Sequence, residues 1–465
     1  MSEHVVDTPV LIVGGGPVGL AMSIELGRRN IESVLLERSD GSIEHPRTGL
    51  VAIRTMEAFR QWGIAQNVRA CGFPEDYDLS MVFCTSLHGF VLGREPYPSM
   101  RDTPTPPETP EKKQRCPQLW LQPILADAAA KNTRTRLRFE HEFVGLEQTT
   151  EYVTAQATDL RTGQPRSFRA RYLLACDGAT STVREQVGIA MQGRLLSYSI
   201  NILFHAPRLT SRHPMGEAER YMFVGPQGMW GNLTVVDGAD LWRLTVLGSQ
   251  DKMDLATFDA NAWVRLALGG DAPFEVMSVT PWRRTEMLAE RYFDGRVVLV
   301  GDSAHTMSPT GGMGMNTGIQ EVLDLGWKLQ GLLEGWGEGG YSTATKPNAD
   351  QLRREISVSP RRTSRLGRTR QIPGRCVTTR SRVSSRAPPW DRGCVSPLGW
   401  NGNLWVCKSA TAMKPRRFAC RTALRRRPMT SEPMCPRHAL AREHPTFGLQ
   451  TGARHWTCSG RGSWC

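Results

Sequence analysis

Three glycines, Gly14, Gly16 and Gly19, are spaced G-x-G-x-x-G, and Glu37 follows 23 residues after the first of them. Gly14 lets the chain turn sharply, Gly16 lets a backbone approach a phosphate, and Gly19 lets a helix pack close to a strand. The free N–H groups at the start of that helix, with its positive dipole end, attract a pyrophosphate. Glu37 offers a carboxylate to a ribose diol. Two further runs carry the same kind of residue. Asp177-Gly178 follows an apolar stretch, and Gly301-Asp302-Ser303-Ala304-His305 follows another. The second leads into Ser308-Pro309-Thr310-Gly311-Gly312-Met313-Gly314-Met315-Asn316-Thr317-Gly318. Backbone N–H groups in such a glycine-rich helix start can point at a place where negative charge collects.

The elements that must position these residues are legible around them. Val10-Leu11-Ile12-Val13 is a short, β-rich apolar run and reads as a buried strand. Leu20, Ala21, Ile24 and Leu26 then recur at helical spacing, and Gly27 to Asn30 ends that helix. Ser33 to Leu36 is the second strand, with Glu37 at its end. Strand, glycine turn, helix, strand and acid is the order of a dinucleotide-binding unit, and it does not decide between NAD and FAD. Arg171–Cys176 and Arg296–Val300 read as further buried strands. A helix is expected from Ile319 to Leu333, apolar at Val322, Leu325, Leu329 and Leu332.

Taken together, the three motifs resemble the FAD-dependent aromatic hydroxylases, the single-component flavoprotein monooxygenases of the para-hydroxybenzoate and phenol hydroxylase type. They match in order from residue 10 to about residue 336. His45-Pro46-Arg47-Thr48-Gly49, Arg54-Thr55-Met56-Glu57 and Glu290-Arg291-Tyr292 resemble the phenol and chlorophenol hydroxylase branch. The resemblance implies that Gly14, Gly16, Gly19 and Glu37 hold the ADP half of FAD and that Asp177 belongs to a motif serving both FAD and NAD(P)H. It implies that Asp302 hydrogen-bonds the FAD ribose and that Arg47 lies near the pyrophosphate. Gln118, in Gln118-x-x-x-Gln122-x-x-Leu125, resembles the glutamine of Q-x-x-x-E-x-x-L that touches the flavin side, with Gln122 in place of the usual Glu. Pro309, Gly312, Gly314 and Asn316 complete the expected cofactor set. Pro309 lacks an N–H and has a fixed φ, so its carbonyl would stand rigidly near the reacting flavin carbon. No metal is expected.

The fold class expected is α/β, a Rossmann-like FAD-binding domain interleaved with a mixed-sheet substrate domain. The FAD-binding domain takes 1–75, 112–187 and 285–340, and the substrate domain takes 76–111 and 188–284. Asp102 to Glu111 carries four prolines and reads as a surface loop. Trp230 to Gly248 alternates in part, as antiparallel strands do. Tyr221, Phe223, Trp230, Trp242 and Trp282 supply aromatic area for core or pocket, and core is the commoner use. His305 after Gly-Asp reads as a hydrogen-bonded structural residue, and Cys176 as a small core residue. The catalytic base is not identified. Phenol hydroxylase relatives place an Asp five residues before the motif arginine, and here that position is Gly49. His205, Tyr221 and Arg243 are the candidates.

Composition divides the chain. Its 465 residues carry a formal net charge of +13, but residues 341–465 hold 25 Lys and Arg against 5 Asp and Glu. The body before them is mildly acidic, so the net charge describes a basic tail and not one basic protein. The tail also holds seven of the 11 cysteines. The body's four, Cys71, Cys84, Cys116 and Cys176, are too widely spaced for a disulfide framework or a metal site and suit a reducing compartment. No secretory leader and no membrane span of roughly 20 apolar residues is expected, and the expected location is cytoplasmic.

After Trp336 the resemblance stops. Relatives continue with a pattern like L-L-D-x-Y-x-x-E-R-x-P. Regrouping codons that could encode Gly340–Arg353, by one position, admits L-L-D-S-Y-E-A-E-R-R-P-I-A. The chain from about residue 337 therefore reads as a shifted frame, and the tail as irregular or disordered. A nucleic-acid or anionic-membrane arm is the rival reading, weakened by the scarcity of Lys.

The function expected is an FAD- and NAD(P)H-dependent monooxygenase of secondary metabolism. It would hydroxylate a phenolic or polycyclic aromatic substrate through a flavin hydroperoxide, with NADPH or NADH as co-substrate. Its partners would be a small aromatic molecule and O2, not nucleic acid, with a homodimer as the assembly. The alternatives are another FAD-fold oxygenase, an epoxidase or Baeyer–Villiger type, or an inactive frame-shifted product.

Overall fold

The structure is a computed structural model, and it describes residues 5–337 except Thr48, Ser249 and 308–311. The basic tail at 341–465, its shifted-frame reading and Pro309 lie outside the described residues.

The first sheet grows from the apolar runs. Strand Val5–Val13 pairs in parallel with Ser33–Glu37 on one side and Gln164–Ala175 on the other. Thr135–Phe139 extends the first side and Val297–Leu299 the second, both parallel. Phe293–Asp294 closes one edge, and the hairpin His141–Gln148 and Val153–Asp159 pairs antiparallel with the first half of Gln164–Ala175. Alternate residues enter different cores. Val10, Ile12, Leu35 and Leu174 face the helices, while Leu11, Val13, Val34 and Leu173 face the hairpin side. Burial on both faces explains why these strands read as continuous apolar runs and not as alternating ones.

The α/β class with a second, mixed sheet is what the structure has. The second sheet runs in the order His305–Thr306, Glu275–Ala289, Met191–His205, Leu241–Leu247, Gly228–Val235, Arg220–Gly225, Met81–Cys84, Val91–Glu95. Every pairing is antiparallel except that of Arg220–Gly225 with Met81–Cys84. The first sheet thus takes strands from 5–37, 135–175 and 293–299, and the second from 81–95, 191–289 and 305–306. Two-residue strands, Leu50–Val51 and Gln114–Arg115, tie the loops beneath them.

Helix bounds differ modestly from expectation. The last helix is Gly314–Glu334, five residues earlier at its start than the apolar pattern indicated. Its first turn is glycine-rich and carries little apolar signal, so periodicity alone misses it. The four cysteines of the body are all free and buried. No helix among the described residues is long and apolar enough to cross a membrane.

Candidate active site

The glycine turn is built by contact. Gly14 has φ +104°, and a side chain there would meet the Cys176 carbonyl oxygen at 2.4 Å. A β-carbon at Gly19 would lie 1.9 Å from the Gly14 carbonyl oxygen. Only glycine allows the helix Pro17–Arg28 to start this close to the strands. The helix has Gly16 as its N-cap and no capping side chain, and nothing lies within 4 Å of where a Gly16 side chain would project. Its first N–H groups therefore have no capping side chain among the described residues. Glu37 closes the turn from the second strand: one oxygen accepts the Gly15 N–H at 2.6 Å, and the other accepts the Ser39 N–H at 2.8 Å.

The other motifs converge here. The Gly14 turn touches Cys176 and Asp177 directly. Val18, in the first helix, packs against Gly301 and Gly318. A side chain on Gly314 would meet Asp302 Oδ1 at 3.6 Å. Segments nearly 300 residues apart in sequence thus share one cleft.

Asp177 Oδ2 accepts the Val183 N–H at 3.1 Å, while Oδ1 is buried with no partner among the described residues. Burial holds its pKa above the usual carboxylate range. Asp302 is exposed, yet burial raises its pKa too, opposed by His305 and Arg47. A group that solvent reaches although protein crowds it stands on the floor of a concave site.

Arg47 donates its backbone N–H to Gln118 Oε1 at 3.0 Å and lays its guanidinium over Trp282, 5.6 Å from the ring centre. Gln122 faces the same way: its amide donates to the Gly15 carbonyl at 2.6 Å. The position where the resemblance expects Glu therefore braces the glycine turn, and it is buried. Asn316 accepts from the Ala52 N–H at 2.8 Å and donates to the carbonyls of Leu50 at 3.0 Å and Gly312 at 2.7 Å. Its side chain is fully engaged with backbone and fixes the start of the last helix. Gly312 sits against Leu50, and the helix that follows also lacks a capping side chain.

His305 has the structural role expected of it. Its Nε2 lies 2.7 Å from Glu321 Oε1, and both residues are buried. Burial opposes the imidazolium, but Glu321 outweighs it and the pKa is raised. The other Glu321 oxygen accepts the Gly301 N–H at 2.8 Å, so this carboxylate holds the turn that carries Asp302. Sequence reading passed over Glu321. The signal was an acid on the apolar face of the last helix, one residue before Val322.

The second sheet turns a polar face to this cleft. Cross-strand pairing places Thr280, Asn201, Thr245, Asn232 and Met222 in one row, and Ser278, Leu203, Arg243, Thr234 and Arg220 in the next. Arg243 Nη1 reaches across to the Pro46 carbonyl at 2.9 Å. Burial, with Arg220 and Arg115 nearby, pulls its pKa down to about 10. Alternation sends Tyr221, Phe223 and Trp242 to the opposite face, where all three are fully buried. Trp230 stacks on Phe223 at 4.9 Å and meets Trp263 at 5.7 Å, on the side covered by the helix Ala260–Leu268. Of the five aromatics singled out in the sequence, Trp282 alone lies on the cleft side, and the other four are core.

The candidate bases separate in the same way. Tyr221 donates its hydroxyl to the Gly216 carbonyl at 2.7 Å within the core, and burial pushes its pKa up. His205 is exposed at a strand end near Asp240. Arg243 is the one that faces the cleft. A surface hollow of about 470 Å³, lined by Trp62, Ile64, Pro123 and Lys131 among others, contains none of these residues.

The sequence profile described as "FAD binding domain" matches residues 7–353. The chain is 35% identical over 356 residues to a putative polyketide hydroxylase of Streptomyces coelicolor, covering 74% of this chain and 56% of that protein. It is 32% identical to the 2,4-dichlorophenol 6-monooxygenase of Delftia acidovorans, covering 71% of this chain and 58% of that protein. The chain thus spans less than two thirds of these curated relatives. Among solved structures it is similar to the rebeccamycin biosynthetic enzyme RebC with reduced flavin, with a TM-score of 0.67 and 40% identity over 78% of this chain and 69% of that one.

Proposed function

The chain belongs to the FAD-dependent aromatic hydroxylase family, and from that premise we propose that it is a monooxygenase. It would use FAD, NADPH or NADH, and O2 to hydroxylate a phenolic or polycyclic aromatic compound. The observation that carries this reading is the convergence of Gly14, Asp177, Asp302 and the start of the last helix on one cleft.

The residues present fit FAD. Among the described residues, Asp177 Oδ1 is buried without a partner, two helix starts lack capping side chains, and nothing lies within 4 Å of where a Gly16 side chain would project. When bound, FAD supplies hydride acceptance from the nicotinamide and activation of O2. Gly14, Gly16 and Gly19, with the first helix behind them, would take the pyrophosphate, and Arg47 would balance its charge. Beyond the Gly15 and Ser39 N–H groups and the Ser39 hydroxyl, Glu37 would offer its remaining lone pair to a ribose, and Asp302 would accept from ribose hydroxyls. Gln118 would orient the flavin end. Gly312 and Gly314 would present backbone N–H groups there, held in place by Asn316, with Pro309 in the same run.

The polar face of the second sheet would take the substrate and exclude water from it. The proposed division remains 1–75, 112–187 and 285–340 for FAD, and 76–111 and 188–284 for substrate. The molecule would work in the cytoplasm, as a homodimer.

The test is direct. The purified chain should be yellow, with FAD recoverable on denaturation. A panel of phenols and polycyclic aromatics should stimulate NADPH or NADH oxidation, with one oxygen atom from O2 found in the product. A well-folded protein that takes up no FAD would overturn the reading.

A further inference from the structure

The loop Glu44–Arg47 crosses between the cofactor wall and the second sheet. His45 Nδ1 lies 2.9 Å from Ser278 Oγ and 3.3 Å from Thr280 Oγ1. Both hydroxyls stand on the cleft face of the strand Glu275–Ala289. His45 Nε2 is buried and has no partner among the described residues. Two residues further on, Arg47 meets Gln118 and Trp282. Arg243 reaches the same loop through the Pro46 carbonyl, and its Nε is also buried without a partner among the described residues. An imidazole nitrogen and a guanidinium donor thus stand together, each a buried atom unsatisfied among the described residues, where native interiors seldom leave one.

The ring's state follows from its neighbours. In the tautomer whose Nδ1–H donates to Ser278 Oγ, Nε2 presents a bare lone pair, and this is the form the proposal uses. The charged groups acting on the ring are both cations, Arg243 from the facing strand and Arg47 from its own loop. Burial first, then these two, hold the imidazole below its ordinary pKa, so the acceptor form persists at neutral pH.

We propose that His45 accepts the proton of the substrate's phenolic hydroxyl and that Arg243 holds the phenolate so formed. The inference rests on the hydroxylase reading above and deepens it. The phenol O–H bond breaks, the proton joins the Nε2 lone pair, and the electron pair stays on oxygen, so net charge is conserved. The imidazolium, set beside two guanidiniums, is stabilised by the phenolate it has just made. An ionised ring is more electron-rich toward the oxygen it must receive.

The experiment uses the full-length, FAD-loaded protein, its His45→Gln variant, 4-nitrophenol as a spectroscopic probe and a series of phenols of graded acidity. Bound 4-nitrophenol should show the phenolate spectrum in the wild type at a pH below its solution pKa, and the neutral spectrum in His45→Gln. For weakly acidic phenols kcat/KM should fall about 100-fold in the variant. Phenols already ionised in solution should lose about threefold or less, a selectivity that a merely structural role would not produce. An unchanged probe spectrum, with equal losses across the series, overturns the inference. Should His45→Gln fail to fold, the wild type decides alone: a bound probe that follows its solution titration overturns the proposal. A wild type that ionises the probe but hydroxylates no phenol sinks the hydroxylase reading and leaves His45 as the acceptor.

Discussion

Glu321 Oε1 and His305 Nε2 stand 2.7 Å apart in the interior, and the same carboxylate holds the Gly301 N–H through its second oxygen. One side chain therefore fixes both ends of the turn that presents Asp302. Removing its charge should destabilise the fold by about 3 kcal/mol, because a buried partner is left uncompensated. The pH dependence has a definite sign. The His305 pKa is raised by folding, so the stability it contributes is complete below its ordinary value of 6.5 and is lost as pH rises through the folded value. The gap in Tm between wild type and Glu321→Gln should narrow above that value. A gap that widens with pH would contradict the pairing.

The Gly14–Gly19 contact leaves no room for a methyl group. In Gly19→Ala the new carbon would lie 1.9 Å from the Gly14 carbonyl oxygen, so helix and strand must separate. We expect a loss of about 3 kcal/mol in stability and loss of FAD on gel filtration. Urea midpoints and the flavin-to-protein absorbance ratio measure both.

Gln122 makes a narrower prediction. Gln122→Leu keeps the side chain's size but removes the donor to the Gly15 carbonyl. The fold should survive, and FAD should bind about tenfold more weakly, about 1.4 kcal/mol. Fluorescence titration of the apoprotein with FAD reads the change directly.

The two faces of the second sheet can be told apart by mutation. Trp242→Ala should cost about 3–5 kcal/mol in stability, as for any large aromatic removed from a packed core, with KM little changed in the folded fraction. Trp282→Ala should alter substrate KM with a stability change under about 1 kcal/mol. Denaturant unfolding and steady-state kinetics on the same samples provide the comparison, and a reversal of the two effects would refute the face assignment.

The local devices were legible in the chain. Val10–Val13 is apolar at every position because both faces of its sheet are buried, and Gly14, Gly16 and Gly19 are needed wherever a helix starts against a strand end; spacing and residue type express both. What lay beyond local pattern was every relationship set by distant pairing. Aromatic residues on a strand look alike in sequence, and only the register with neighbouring strands sends Trp242 to the core and Trp282 to the cleft. Gln118 needs the Arg47 backbone, 71 residues away, to show what it holds. His45 shows in the sequence only as part of the His45-Pro46-Arg47 run, since a loop histidine is neutral or charged, free or paired, according to what folds against it. Its acceptor nitrogen is defined by Ser278, Thr280 and Arg243, three residues more than 190 positions downstream that the fold brings to one ring. Short-range sterics and hydrophobic period are written in the sequence, whereas the electrostatic state of a side chain is a property of its assembled surroundings.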